Sequence, residues 1–71
     1  MGVDVNVRLP KGLDRGKLLE TCLKVPIDCE FRSGWVHFHF GYLGMEHVVK
    51  CTNFVKSFAK KHKVKIGRWG Y

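Results

Sequence analysis

The sequence predicts an α+β fold, a four-stranded antiparallel sheet with two helices on one face. Four short segments alternate apolar and polar residues, which is typical of half-buried strands, and two segments repeat apolar residues at helical spacing. Along the chain these elements follow the order β-α-β-β-α-β. A chain of 71 residues has room for one modest core, so we expect a single domain over residues 1–71.

The first strand and the first helix account for the region before Pro26. Apolar residues occupy every second position of the strand, and they are Val3, Val5, Val7 and Leu9. Asp14 suits the N-cap of the helix, because its carboxylate can accept free backbone N–H groups of the first turn. We expect the helix to bury one apolar stripe, made of Leu18, Leu19, Cys22 and Leu23. Pro26 ends the helix, since proline has no N–H to donate.

The second and third strands form a predicted hairpin. Ser33-Gly34 is a two-residue turn signal, because glycine tolerates a positive φ. The inward-facing residues of the two strands are Ile27, Cys29 and Phe31, followed by Val36, Phe38 and Phe40. The outward-facing residues of the third strand are Trp35, His37 and His39.

The second helix gives the clearest pattern, from Met45 to about His62. Its predicted core face consists of Val48, Cys51, Thr52, Val55, Phe58 and Ala59. A last strand is expected to bury Val64 and Ile66 and to run towards Trp69. With right-handed crossovers, the simplest arrangement of these elements is the ferredoxin-like split βαβ, with strand order 4-1-3-2.

The positive charge of the chain is concentrated in its last third. Six basic and six acidic residues cancel up to Glu46, and no acidic residue follows. The net charge of +7 therefore comes from Lys50, Lys56, Lys60, Lys61, Lys63, Lys65 and Arg68. Segregated positive charge attracts polyanions, so we expect nucleic acid as the partner, with an acidic protein surface as the alternative.

The predicted fold divides the candidate binding residues between two surfaces that point in opposite directions. The open sheet face carries Arg8, Arg32, Trp35, His37, His39, Lys63, Lys65 and Trp69. The outer face of the second helix carries Lys50, Lys56, Lys60 and Lys61. On the sheet face, Trp35 and His37 are rings on which unpaired bases can stack, at about 1–3 kcal/mol per base. An exposed tryptophan is equally suited to anchor a protein interface.

The stretch from Ser33 to Phe40 resembles a strand of the RNA-recognition motif, whose element order is also β-α-β-β-α-β. The resemblance implies that Trp35 and His37 take the base-stacking positions, while Phe38 and Phe40 lie in the core. Ser33 stands where that motif has a basic residue, and the first strand lacks the aromatic residue expected there. We therefore treat the resemblance as one of architecture.

Several other functions lack support in the sequence. His37 and His39 point the same way on a strand, but no third ligand is defined, so we expect no metal and no cofactor. The chain carries no phosphate loop, nucleophile elbow or HExxH motif, and we expect no enzymatic activity. No apolar run approaches the ~20 residues of a membrane span, and no signal peptide is evident. Three cysteines in no paired spacing indicate free thiols and a cytoplasmic protein.

These observations predict a small basic protein that binds single-stranded RNA or DNA through its open sheet face. The alternative hypothesis is a protein-binding module or a phage-type inhibitor that docks its basic side on an acidic site of a larger protein. A third hypothesis is a homodimer formed through the open sheet face.

Overall fold

Six elements follow one another in a computed structural model that describes residues 2–70. They are β1 (Gly2–Arg8), α1 (Arg15–Lys24), β2 (Asp28–Arg32), β3 (Trp35–Gly41), α2 (Met45–His62) and β4 (Ile66–Gly70). The strands form one sheet in the order β2-β3-β1-β4, and every neighbouring pair is antiparallel. The predicted α+β class with a four-stranded antiparallel sheet and two helices is therefore confirmed.

The core lies between the helices and one face of the sheet. β1 buries Val3, Val5 and Val7, and β3 buries Val36, Phe38 and Phe40. The helices contribute Leu18 and Cys22 from α1 and Cys51, Val55, Phe58 and Ala59 from α2. Since these side chains form one cluster, both helices cover the same face. The other face of the sheet carries the polar residues of β1 and β3 and is open.

Local signals in the sequence explain several element boundaries. Asp14 caps α1 as predicted, because its Oδ1 accepts the backbone N–H of Lys17 at 3.1 Å. Ser33 and Gly34 both have positive φ, which joins β2 and β3 by the two-residue turn that matches the strand twist. The long periodic segment of α2 begins and ends where the pattern predicts, at Met45 and His62.

The predicted apolar stripe of α1 is only half buried. Leu18 and Cys22 reach the core, whereas Leu19 is 41% exposed and Leu23 is 80% exposed. The physical reason is that α1 spans only ten residues and its buried residues, Leu18 and Cys22, lie on one line along the helix. Residues one position further along the helix are rotated by about 100°, which turns Leu19 and Leu23 away from that line.

The last strand begins later than predicted, because the end of α2 extends through a terminal cap. Lys63 adopts the left-handed conformation, with φ 54° and ψ 43°. Its N–H bonds to the carbonyl of Lys60 at 3.2 Å, and the N–H of Val64 bonds to the carbonyl of Ala59 at 3.0 Å. These two bonds form a Schellman cap, which usually has glycine at the position of Lys63. Lys63, Val64 and Lys65 therefore precede β4 instead of belonging to it.

A β-bulge at Gly67 changes which side chains of β4 point towards the core and which point towards the open face. Asn6 pairs with Arg68, but the next residue of β1, Val7, pairs with Ile66, so Gly67 is the extra residue. Ile66, which we expected in the core, is 36% exposed. Trp69 pairs with Val5 and packs against the core, so its predicted place on the open face is wrong. Within residues 2–70 the buried indole N–H of Trp69 finds no acceptor.

Candidate nucleic-acid interface

The strand register arranges the outward side chains of the open face in three rows across the sheet. The basic row contains Arg32, Trp35 and Arg8. The middle row contains Glu30, His37, Asn6 and Arg68, and the acidic row contains Asp28, His39 and Asp4. The charge of the open face therefore changes sign along the strands, from positive at the Trp35 end to negative at the His39 end.

Trp35 is the aromatic centre of the basic row. Its indole ring carries the guanidinium of Arg8 at 4.9 Å from the ring centroid, a cation–π contact between directly paired residues. The ring also reaches across β1 to the bulge of β4, where a Cβ atom on Gly67 would overlap Cζ3 and Cη2 of the indole. Trp35 is consequently half-buried.

Arg32 completes the basic row on the edge strand β2. Its guanidinium forms an ion pair with Glu30, in which both side chains are largely exposed. An exposed pair of this kind contributes little to stability, at about 0–1 kcal/mol, so Arg32 can exchange Glu30 for another anion. Arg8 and Arg32 thus flank Trp35 from the two neighbouring strands.

The two histidines of the face are engaged in hydrogen bonds around Asp4. Nδ1 of His39 lies 2.8 Å from Oδ1 of Asp4, and Nε2 of His37 lies 3.1 Å from the same oxygen. Nδ1 of His37 lies 2.6 Å from Oδ1 of Asn6. The hydrogen bond with His39 lowers the pKa of Asp4 below its usual value, with a smaller contribution from His37, against an opposing effect of burial.

This network limits what His37 can do as a stacking ring. The His37 side chain is 21% exposed, and both of its ring nitrogens face oxygen atoms of β1. His39 is more exposed, at 43%, but it lies in the acidic row. No group of three or more His, Cys, Asp or Glu residues between Gly2 and Gly70 is arranged to hold a metal ion.

The acidic end of the face also contains a concavity of about 410 Å³. Its lining residues are Asp4, Asp28, Cys29, Glu30, Arg32, His37 and His39. The lining contains three carboxylates and only one guanidinium, so this concavity is expected to repel a phosphate. The part of the open face that suits a phosphate is therefore the basic row.

The other basic residues predicted to form a binding surface lie around the basic row or on α2. The carbonyl of Lys65 accepts the N–H of Arg8 at 3.0 Å, so the exposed Lys65, just before β4, lies beside that row. Lys63 caps α2 and is not on the sheet face. Arg68 was not among the predicted site residues, and the bulge places it in the middle row. On the second candidate surface, the exposed side chains are those of Lys50, Lys56, Lys60 and Lys61.

The three cysteines differ in their burial and in the pKa of their thiols. Cys51 lies 3.5 Å from Nε2 of His47, but its side chain is fully buried and burial raises its pKa. The neighbouring thiol of Cys29, together with burial, raises the pKa of Cys22, and the thiol of Cys22 lowers the pKa of the half-buried Cys29. All three cysteines are free thiols.

Comparison of the chain with protein-family models, with curated protein sequences and with solved structures gives no match. Along residues 2–70, no helix is both long and apolar enough to cross a membrane.

Proposed function

We propose that the protein binds single-stranded nucleic acid through the basic row of its open sheet face. The observation that carries this proposal is the position of Trp35, a partly exposed indole flanked by Arg8 and Arg32 on the two adjacent strands. Rings provide stacking surface for bases, and guanidinium groups provide paired N–H donors for phosphate oxygens. The basic row brings both kinds of contact together.

In this mode of binding, one base stacks on the exposed part of the Trp35 ring. The phosphates on either side of that base contact Arg8 and Arg32, and the positive surface is extended by Arg68 of β4 and by Lys65, just before that strand. Arg8 already stacks on Trp35, so its guanidinium is oriented before the ligand arrives. Such an arrangement favours an unpaired strand, because bases inside a duplex do not expose their faces.

The order of the basic, middle and acidic rows also predicts the direction in which a nucleic-acid strand crosses the open face. A phosphate backbone that follows the strands away from Trp35 meets the carboxylates of Asp4 and Asp28, which repel it. The strand is therefore expected to cross the sheet along the basic row, from β2 to β4. This path is short, so we expect a site of few nucleotides.

Three further assignments belong to the same proposal. The order β2-β3-β1-β4, read from β4, is 4-1-3-2, which supports a ferredoxin-like split βαβ fold with the architecture of the RNA-recognition motif. Three free thiols support a reducing compartment such as the cytoplasm. The buried, weakly acidic Cys51 supports a binding function without catalysis.

Tryptophan fluorescence tests the proposal directly, because the chain has only two tryptophans, one on each face of the sheet. In Trp69→Phe, an oligothymidine of about ten nucleotides should quench the remaining Trp35. Affinity for the labelled oligonucleotide should fall about tenfold in Trp35→Ala and should fall as salt rises. If oligothymidine and oligouridine do not bind at low salt, the proposal fails, and the acidic protein surface becomes the leading hypothesis.

A further inference from the structure

The helical side of the molecule contains a second surface, a groove between α1 and α2. The first half of α1 faces the second half of α2 across a space of about 310 Å³. We define the interhelical groove by the residues that line it: Leu13, Asp14, Lys17, Leu18, Thr21, Phe54, Ser57, Phe58, Lys61 and His62. It lies on the opposite side of the sheet from the basic row.

The floor of the interhelical groove is apolar. Leu18 and Phe58 are buried beneath it, and Leu13 and Phe54 are half-buried. Phe54 and Phe58 are fixed from below, because both pack edge-on against Phe38, at ring centroid distances of 5.9 and 5.4 Å. The floor is therefore preformed, which lowers the entropic cost of binding.

The walls of the interhelical groove are positively charged. Lys17 of α1 and Lys61 of α2 are exposed on opposite sides, and His62 stands beside Lys61 with its ring 4.6 Å from that of Phe58. The one acidic residue that lines the groove, Asp14, is already used as the cap of α1. An apolar floor between two cationic walls complements a ligand that is apolar on one side and acidic along its edges.

We propose that the interhelical groove binds an acidic amphipathic segment of a partner protein. A helical segment that carries leucine or phenylalanine at i, i+3, i+4 and i+7 can insert those side chains between Leu13 and Phe54. Its flanking carboxylates then contact Lys17 on one wall and Lys61 on the other. The volume is near the lower limit of ligand pockets, roughly 300–1,000 Å³, which suits a few side chains of a peptide rather than a large cofactor.

A binding experiment on the full chain tests this inference. The probe is a peptide of about fourteen residues, with leucines at i, i+3, i+4 and i+7 and glutamates elsewhere. The expected result is saturable binding, with NMR shift changes at the amides of Leu13, Thr21 and Ser57. Shift changes confined to the open sheet face, or no binding by a folded protein, would overturn the proposal.

Matched variants separate the groove from general charge attraction. Ser57→Trp fills the groove and should weaken peptide affinity about tenfold, whereas Asn53→Trp on the outer side of α2 should change it less than about twofold. Lys61→Glu should weaken affinity about fivefold, and Lys56→Glu, with the same charge change on the same helix, should not. Equal effects of the two lysine variants, or equal affinity for a peptide with glutamine in place of glutamate, would contradict the acidic partner.

The oligonucleotide distinguishes this inference from the proposed function. Ser57→Trp should leave oligothymidine affinity unchanged, and Trp35→Ala should leave peptide affinity unchanged. Either proposal can therefore fail while the other stands. If oligothymidine shifts the amides of Thr21 and Ser57, the groove is a nucleic-acid site and both proposals are wrong.

Discussion

The indole ring of Trp35 lies directly on Gly67, which is the extra residue of the bulge in β4. The orientation of the Trp35 ring and the bulge at Gly67, which are distant in sequence, thus depend on each other. Residue 67 must lack a side chain for the ring to reach across β1, and the ring in turn covers the irregular part of the edge strand. The orientation of the proposed stacking surface is therefore determined partly by a glycine that makes no contact with a ligand.

Replacing Gly67 with alanine tests this relationship. Because the new Cβ atom would overlap the ring, we expect Gly67→Ala to displace Trp35, to destabilise the fold by about 1–3 kcal/mol, and to weaken oligothymidine binding severalfold. Urea denaturation and Trp35 fluorescence in the Trp69→Phe background measure both effects. Gly70→Ala, in the same strand, is the control, because a Cβ atom there would meet only the backbone oxygen of Asp4, at an ordinary contact distance of 3.8 Å. Equal behaviour of the two variants would contradict the contact.

The position of a positive charge should affect oligothymidine affinity more than the net charge of the protein does. Arg8→Gln and Lys56→Gln remove one charge each, but only Arg8 lies in the basic row. We expect Arg8→Gln to weaken oligothymidine affinity about tenfold and to reduce its salt dependence, and Lys56→Gln to change affinity less than about twofold. Fluorescence anisotropy at several salt concentrations provides the measurement. A larger effect of Lys56→Gln would place the site on the outer face of α2.

The acidic row predicts a specific titration. The pKa of Asp4 lies below its ordinary value because His39 and His37 hydrogen bond to its carboxylate. A carboxyl group with a lowered pKa in the folded state stabilises the protein above the unfolded value, about pH 3.9, and this contribution is lost as pH falls through the folded-state pKa. Carboxyl carbon NMR should show the lowered pKa of Asp4. In His39→Ala that pKa should rise towards 3.9, and no change would contradict the network.

The cap of α2 predicts a stabilising substitution. Lys63 holds a left-handed conformation that costs a residue with a Cβ atom about 1 kcal/mol. Lys63→Gly should therefore raise the free energy of unfolding by about 0.5–1 kcal/mol, after allowance for the greater freedom of glycine in the unfolded chain. Lys60→Gly, inside the same helix, should lower it by about 1 kcal/mol. Thermal or urea denaturation compares the two variants, and the same sign for both would contradict the cap.

The parts of the fold that the sequence predicts well are those in which one local pattern repeats. The apolar spacing of α2 persists over eighteen residues, so both of its ends are predicted, and Ser33-Gly34 marks the hairpin turn directly. α1 is predicted only in part, because the spacing of Leu19 and Leu23 does not reveal which line of a short helix touches the sheet. β4 is predicted least well, because a lysine occupies the left-handed cap position that glycine usually marks.

The candidate site, like the fold, is predicted well only where a local sequence pattern determines it. Alternation alone places Arg8 and Trp35 on the open face, and the structure brings them into direct contact. The bonds between Asp4 and the two histidines depend on the register between β1 and β3, which no local pattern encodes. Because of the bulge, Trp69 faces the core instead of the open face, and Arg68 lies in the middle row; a single glycine in a short strand is a weak signal for such a bulge.

The bulge at Gly67 also affects how the molecule meets copies of itself. β4 is an edge strand, and a regular edge offers its free N–H and C=O groups to the strand of another molecule. At Gly67 the spacing of these groups is interrupted, and Arg68 adds a positive charge beside the interruption. An incoming β4 from a second copy would meet both a mismatched ladder and like charge. The irregular strand that contacts Trp35 is thus also expected to pair poorly with the edge strand of a second copy.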